Sequence, residues 1–124
     1  MPVDPPSIVL HELVDRCVGD ASIAGLMLDA FERQASRDLA EITRLLEGGD
    51  ALAASRAAHA LKGAAGAVAA TAIRDHAAAI ELHARERSLD NASRQLDALR
   101  LEINRCLASL PQIRLTLSTG GQRQ

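Results

Sequence analysis

The chain has almost no aromatic side chains: Phe31 is the only one in 124 residues, and Trp and Tyr are missing. Sheets favour aromatic and β-branched residues on their pleated faces. A hydrophobic content of 48% without aromatics therefore implies a core of Ala, Leu, Ile and Val, which suits close-packed helices. There is no excess of one charge either. Fourteen basic and sixteen acidic residues give a formal net charge of −2, which argues against a nucleic-acid binder. No apolar run approaches the roughly 20 residues needed to cross a bilayer, so no membrane partner is expected. Cysteine is limited to Cys17 and Cys106. Two isolated thiols without a secretory signal suit a reduced, cytoplasmic protein. The length fits one domain rather than two.

Punctuation by Pro, Gly and capping residues divides the chain into helices. Asp4-Pro5-Pro6-Ser7 is a start signal, with Ser7 able to cap a short first helix whose apolar face carries Ile8, Leu10, Leu13, Val14 and Cys17. Asp20 or Ser22 opens a long second helix, and Gly48-Gly49 ends it. Asp50 caps a third helix with a stripe through Leu52, Ala54, Ala58, Leu61, Ala65 and Val68. Thr71 caps a fourth carrying Ile73, Ala77, Ile80 and Ala84. In the last helix Leu89, Ala92, Leu96, Leu99, Ile103, Cys106 and Leu110 recur at helical spacing, and Pro111 is expected to stop it. The reading is all-α: an antiparallel up-down four-helix bundle with an additional short N-terminal helix. Residues 1–6 form an arm, 7–110 the bundle and 111–124 a flexible tail.

The chemistry concentrates in Ala58-His59-Ala60-Leu61-Lys62-Gly63-Ala64-Ala65-Gly66. With Ala58, Leu61 and Ala65 facing the core, His59, Lys62, Gly63 and Gly66 share one exposed face, and Ser55 and Arg56 lie a turn earlier on the same side. Each interior glycine costs about 0.8–1 kcal/mol against alanine. Helical side chains lean towards the N-terminus, so glycine at 63 clears the space around the His59 ring and Gly66 lowers the wall beyond it. Lys62 is the only lysine beside thirteen arginines, and its compact ammonium suits a phosphoryl charge. A neutral imidazole is a competent nucleophile near pH 7.

The stretch His59-Ala60-Leu61-Lys62-Gly63, followed by Ala70, Ile73 and Ile80-Glu81, resembles the His-x-Leu-Lys-Gly pattern and later Leu-Glu of histidine-containing phosphotransfer (HPt) domains. Asp4-Pro5 and Phe31 look like the family's as well, and the similarity runs from about residue 4 to 110. The resemblance implies a phosphocarrier rather than an enzyme. His59 would be the phosphoacceptor, Lys62 would stabilise the phosphoryl group, and Gly63 would admit the partner, with Ser55, Arg56 and Gly66 as further partner-contact candidates. Partners would be receiver domains of response regulators or hybrid histidine kinases. The receiver would bring the aspartate and the magnesium, and this chain would have no cofactor or metal of its own and work as a monomer.

Ala64, Ala67 and Ala69 stand where the family often has polar residues or glycine, so polar support for a phosphoryl group looks thin. That leaves a second reading: an HPt-like interaction module that binds its partner without carrying phosphate. His76 and His83 share a face near Glu81 and Glu86, but no ligand quartet of known metal-site spacing exists. His11 has no partner signature. Cys17 and Cys106 fall on apolar stripes and read as core. Without a Gly-rich phosphate loop, ATP chemistry is not expected.

Overall fold

The computed structural model describes residues 5–121. Within them the chain forms five helices and no strand: α1 (Leu10–Arg16), α2 (Ala21–Glu47), α3 (Ala51–Ala67), α4 (Thr71–Arg85) and α5 (Leu89–Gly121). Helix α3 packs on both α2 and α4, and α5 packs on both α4 and α2, so these four close a ring around one core. Helix α1 touches α2 at the end of the ring. The expected all-helical class is observed. Leu13, Leu28, Ile42, Leu61, Ile73, Ile80, Leu99, Ile103 and Leu110 are fully buried, with Ala24, Ala35, Ala54, Ala58, Ala65, Ala77 and Ala92 between them. Alternating large and methyl-sized side chains lets the helices interlock at close range without aromatic filler.

Capping explains most boundaries. The Asp20 carboxylate accepts from the amides of Ser22 at 2.9 Å and Ile23 at 3.3 Å, settling the choice between Asp20 and Ser22 as the cap of α2. Gly49, at φ +76°, terminates α2, and the Asp50 carboxylate accepts from the Ala53 amide at 3.2 Å to start α3. Two other expected caps are not observed. Ser7 is buried and its hydroxyl has no partner among the described residues, while α1 begins after Val9 without a side-chain cap. The strand-like Val9 amide is satisfied instead by the Ala69 carbonyl at 2.9 Å, so a tertiary contact replaces the local cap. Thr71 is the first residue of α4, and Ala70, which cannot cap with its side chain, precedes it.

The largest departure concerns Pro111. It does not end the last helix, which continues to Gly121, so the expected boundary between bundle and flexible tail is overturned at this point. Proline forfeits one backbone hydrogen bond and crowds the preceding turn, but packing outweighs this. Leu117 is buried, Ile113 lies against the core, and Arg114 reaches the carboxylates of Asp29 and, at 3.1 Å, Glu32 on α2. The expected tail's residues 122–124, and 1–4 of the expected arm, lie outside the described residues.

Three of the tight connections carry a side chain in the left-handed region: Val18 (φ +53°), Ala69 (+59°) and Arg87 (+59°). A β-branched residue is the worst suited to that conformation. Val18 is also 92% exposed, so its side chain contributes no burial that would offset the strain. Replacing Val18 by Gly is expected to raise the unfolding free energy by about 0.5–1 kcal/mol, the relief of strain less the added freedom of the unfolded chain. Urea denaturation checks it; an unchanged or lower midpoint would contradict the strain assignment.

Candidate functional site

Helices α3 and α4 make the most extensive helix–helix contact of the bundle, and the candidate site lies at its outer edge. Ala58 and Leu61 of α3 turn fully inward, as do Ala77 and Ile80 of α4. One position beyond Ala58 the helix turns outward, which leaves the His59 side chain 68% exposed. One position beyond Ile80, Glu81 falls at the rim of the core, with only 9% of its side chain exposed. Small residues on both helices allow this short reach between them.

Glu81 organises the cluster. Its Oε2 accepts from His59 Nδ1 at 2.9 Å and from the Arg85 guanidinium at 3.0 Å. Its Oε1 accepts from Lys62 Nζ at 2.7 Å. Its backbone carbonyl accepts from the Ser55 hydroxyl at 3.3 Å, which pins the α4 backbone to α3. A buried carboxylate is costly unless paired, and here the pairing prevails. The Lys62 hydrogen bond is the main cause that holds the Glu81 pKa below its ordinary value; burial opposes it and the His59 hydrogen bond adds to it.

The consequence for His59 is a matter of proton placement. An ionised carboxylate can only accept, so the hydrogen between Glu81 and the ring belongs to Nδ1. The neutral ring then keeps its lone pair on Nε2, away from Glu81. Orientation and tautomer are set by one bond, as a carboxylate does for histidines elsewhere. Helix α3 itself adds no acidic group. From residue 51 to residue 74 there is no Asp or Glu, and Arg56 lies exposed one turn before His59.

The residues singled out from sequence separate into three groups. His59 and Lys62 are brought together through Glu81, with Lys62 half-buried rather than exposed. Arg56 and Gly63 are exposed and Gly66 is half-buried, beside them on α3. A Cβ added at Gly63 would meet nothing within 4 Å. The glycine is therefore not required by crowding against the ring within this chain; what it leaves is open space beside His59. Ser55 does not share the exposed face: it is buried, because its hydroxyl is turned inward to the Glu81 carbonyl. Ala64 and Ala67 line a shallow apolar groove with Met27, Ala30, Phe31 and Gln34 of α2, so these alanines border the site rather than furnish it. Ala69 adopts a positive φ, the conformation for which glycine is the natural residue.

Two residues of the cluster were missed from sequence. The sequence places Glu81 in the Ile80-Glu81 pattern and near His76 and His83, not against His59, and gives Arg85 no role. A signal existed for Glu81: a carboxylate directly beside a buried stripe needs partners, and cations on the adjacent helix were available. The imagined metal site is not assembled. His76 Nδ1 instead pairs with Gln95 Oε1 at 3.1 Å, and no group of three or more His, Cys, Asp or Glu side chains that could hold a metal ion occurs among the described residues. Both cysteines are buried, and burial pushes the Cys106 thiol up to about 11. Among the described residues no helix is long and apolar enough to cross a membrane.

The family model for the Hpt domain matches residues 26–109, most of the ring of four helices and all of the cluster around His59. The chain therefore belongs to the Hpt domain family. Among solved structures it is similar to histidine-containing phosphotransfer protein B (HptB) from Pseudomonas aeruginosa PAO1, with 22% identity and a TM-score of 0.71 over 98% of this chain and 99% of that one. The two share the fold. No curated protein matches the chain at a significant level.

Because the Glu81 pKa is lowered on folding, the carboxylate stabilises the protein above its ordinary value of 4.5 and ceases to do so as the pH falls through the lowered native value. Urea unfolding of wild type and Glu81→Gln is expected to differ most near neutral pH and to converge as the pH falls from that ordinary value through the lowered native one. A difference that stayed constant through the acid range would show that ionisation of Glu81 contributes nothing to stability.

Proposed function

We propose that this chain is the phosphocarrier of a two-component phosphorelay, with His59 as phosphoacceptor. One observation carries the reading: a solvent-open imidazole whose Nδ1 is held by a buried carboxylate, in a chain that belongs to the Hpt family. In the transfer, the Nε2 lone pair forms the N–P bond with the phosphorus of a receiver's aspartyl phosphate. The acyl phosphate P–O bond breaks, and its electron pair leaves with the aspartate carboxylate. The Nδ1 proton stays on the ring and in its bond to Glu81, which steadies the positive charge that the ring acquires. Reversal of the same steps passes the group to another receiver. Positioning and charge compensation suffice for this chemistry.

Lys62 compensates phosphoryl charge, while Arg56, Gly63 and Gly66 form the surface on which the receiver rests. The apolar groove through Ala64, Ala67 and Phe31 extends that surface. Magnesium belongs to the receiver, and this chain uses no cofactor and no ATP. Connections of three residues between α2, α3, α4 and α5 support an antiparallel up-down bundle with α1 as the additional helix. The protein works as a cytoplasmic monomer in this reading. The apolar character of positions 64 and 67 favours a second reading, an interaction module that docks through the same face without phosphate.

Incubation with a receiver carrying radiolabelled aspartyl phosphate separates the two. Acid-labile, alkali-stable label is expected on wild type and not on His59→Gln; label on both, or on neither across several receivers, would reject His59 as acceptor. Lys62→Ala is expected to slow transfer about tenfold or more, the equivalent of one charge-assisted hydrogen bond worth roughly 1.5 kcal/mol, with the circular dichroism spectrum unchanged. Transfer at the wild-type rate would remove Lys62 from the mechanism.

A further inference from the structure

Glu81 holds two cations, and they are not equivalent. Lys62 is bound to Oε1, which has no other donor among the described residues, at 2.7 Å, and only 34% of its side chain is exposed. Arg85 is bound to Oε2, which it shares with His59 Nδ1, and 66% of its side chain is exposed. Two donors competing for one oxygen weaken each other, and an exposed guanidinium loses little when it exchanges one anion for another. Lys62 is thus the cation that keeps Glu81 ionised, consistent with its being the first cause of the lowered Glu81 pKa. Arg85 is the one free to move.

Accepting that His59 carries the phosphoryl group, we propose that Arg85 is an exchangeable phosphoryl ligand. When a phosphoryl group resides on His59 Nε2, the guanidinium leaves Glu81 Oε2 and pairs with the phosphoryl oxygens. When the group departs, it returns. The ring and the guanidinium meet at the same carboxylate oxygen, so the guanidinium already lies beside the ring that would carry the group. A phosphoryl group brings a charge of about −1.5 to −2 and three acceptor oxygens, and a guanidinium matches them with paired N–H donors where an ammonium offers a point charge. Glu81 is not left unsatisfied, because Lys62 and the His59 ring remain on it. The exchange supplies polar support that Ala64 and Ala67 do not give, and it comes from α4 rather than from the α3 face.

The test loads His59 with phosphoramidate, a small phosphoryl donor that requires no receiver, and follows the phosphohistidine signal by phosphorus NMR across pH. A cation in contact favours the more highly charged phosphoryl form, so Arg85→Ala is expected to raise the titration midpoint by about half a unit or more. Arg85→Lys should restore part of the shift, and Arg94→Ala, which removes a charge from α5, should leave the midpoint in place. Equal midpoints in wild type and Arg85→Ala would overturn the exchange, as would an equal shift from Arg94→Ala. No phosphohistidine on the wild type would overturn both the exchange and the carrier reading. Normal loading with an Arg85-dependent midpoint, but no transfer from any receiver, would sink the relay and leave the exchange standing.

Discussion

A buried carboxylate must find partners or lose its charge, and Glu81 meets that requirement in a way that defines the whole site. It is held by a lysine and the histidine from α3 and by an arginine one turn along its own helix. The same bonds that keep it ionised fix the imidazole's tautomer and direct its lone pair to solvent. Take the charge away and the ring loses its orientation, Lys62 loses its anchor, and the Ser55 hydrogen bond to the Glu81 carbonyl remains as the polar tie between the two packed helices among the described residues. The side of the His59 ring that faces away from Glu81 is thus a consequence of how α4 satisfies its one buried acid.

That short reach depends in turn on the composition of the core. Alanines at 54, 58, 65, 77 and 84 bring helix axes close, and the absence of aromatic bulk leaves the two helix surfaces in near contact. Such packing is demanding at the connections. Ala69 and Arg87 accept left-handed backbone in the turns on either side of α4, and the Ala69 carbonyl also receives the Val9 amide. Arg16 of α1 bonds the carbonyl of Gly66 near the end of α3. The N-terminal helix therefore braces the end of the helix that carries His59.

The helical elements were legible because periodicity and caps act locally: Asp20, Asp50 and the glycines at 48 and 49 mark ends that the structure keeps. Expectation failed where a distant contact overrode a local signal. Pro111 is a stop on its own, yet Ile113 and Leu117 pack on the core and Arg114 bonds α2. Ser7 is a good cap by type, yet the amide at Val9 is satisfied from Ala69. In the site, the outward phase of His59 and Arg56 followed from the α3 stripe. The inward phase of Ser55 did not, because that stripe is wider than its apolar residues suggest: a hydroxyl bonded to a carbonyl can occupy a buried position. Glu81 and Arg85 lie 22 and 26 positions beyond His59, and only the packing of α4 against α3 reveals that they converge on it.

The account stands on which ring nitrogen of His59 is free. A proton–nitrogen correlation spectrum of the histidine rings, taken at a pH where a free imidazole is neutral and assigned with His59→Gln, reads this directly. Nδ1 of His59 should be the protonated nitrogen and Nε2 the bare one. In Glu81→Ala that preference should weaken towards the mixture of a free imidazole. A wild-type spectrum with Nε2 protonated and Nδ1 bare would contradict the role given to Glu81, and with it the direction from which His59 is presented to a phosphoryl donor.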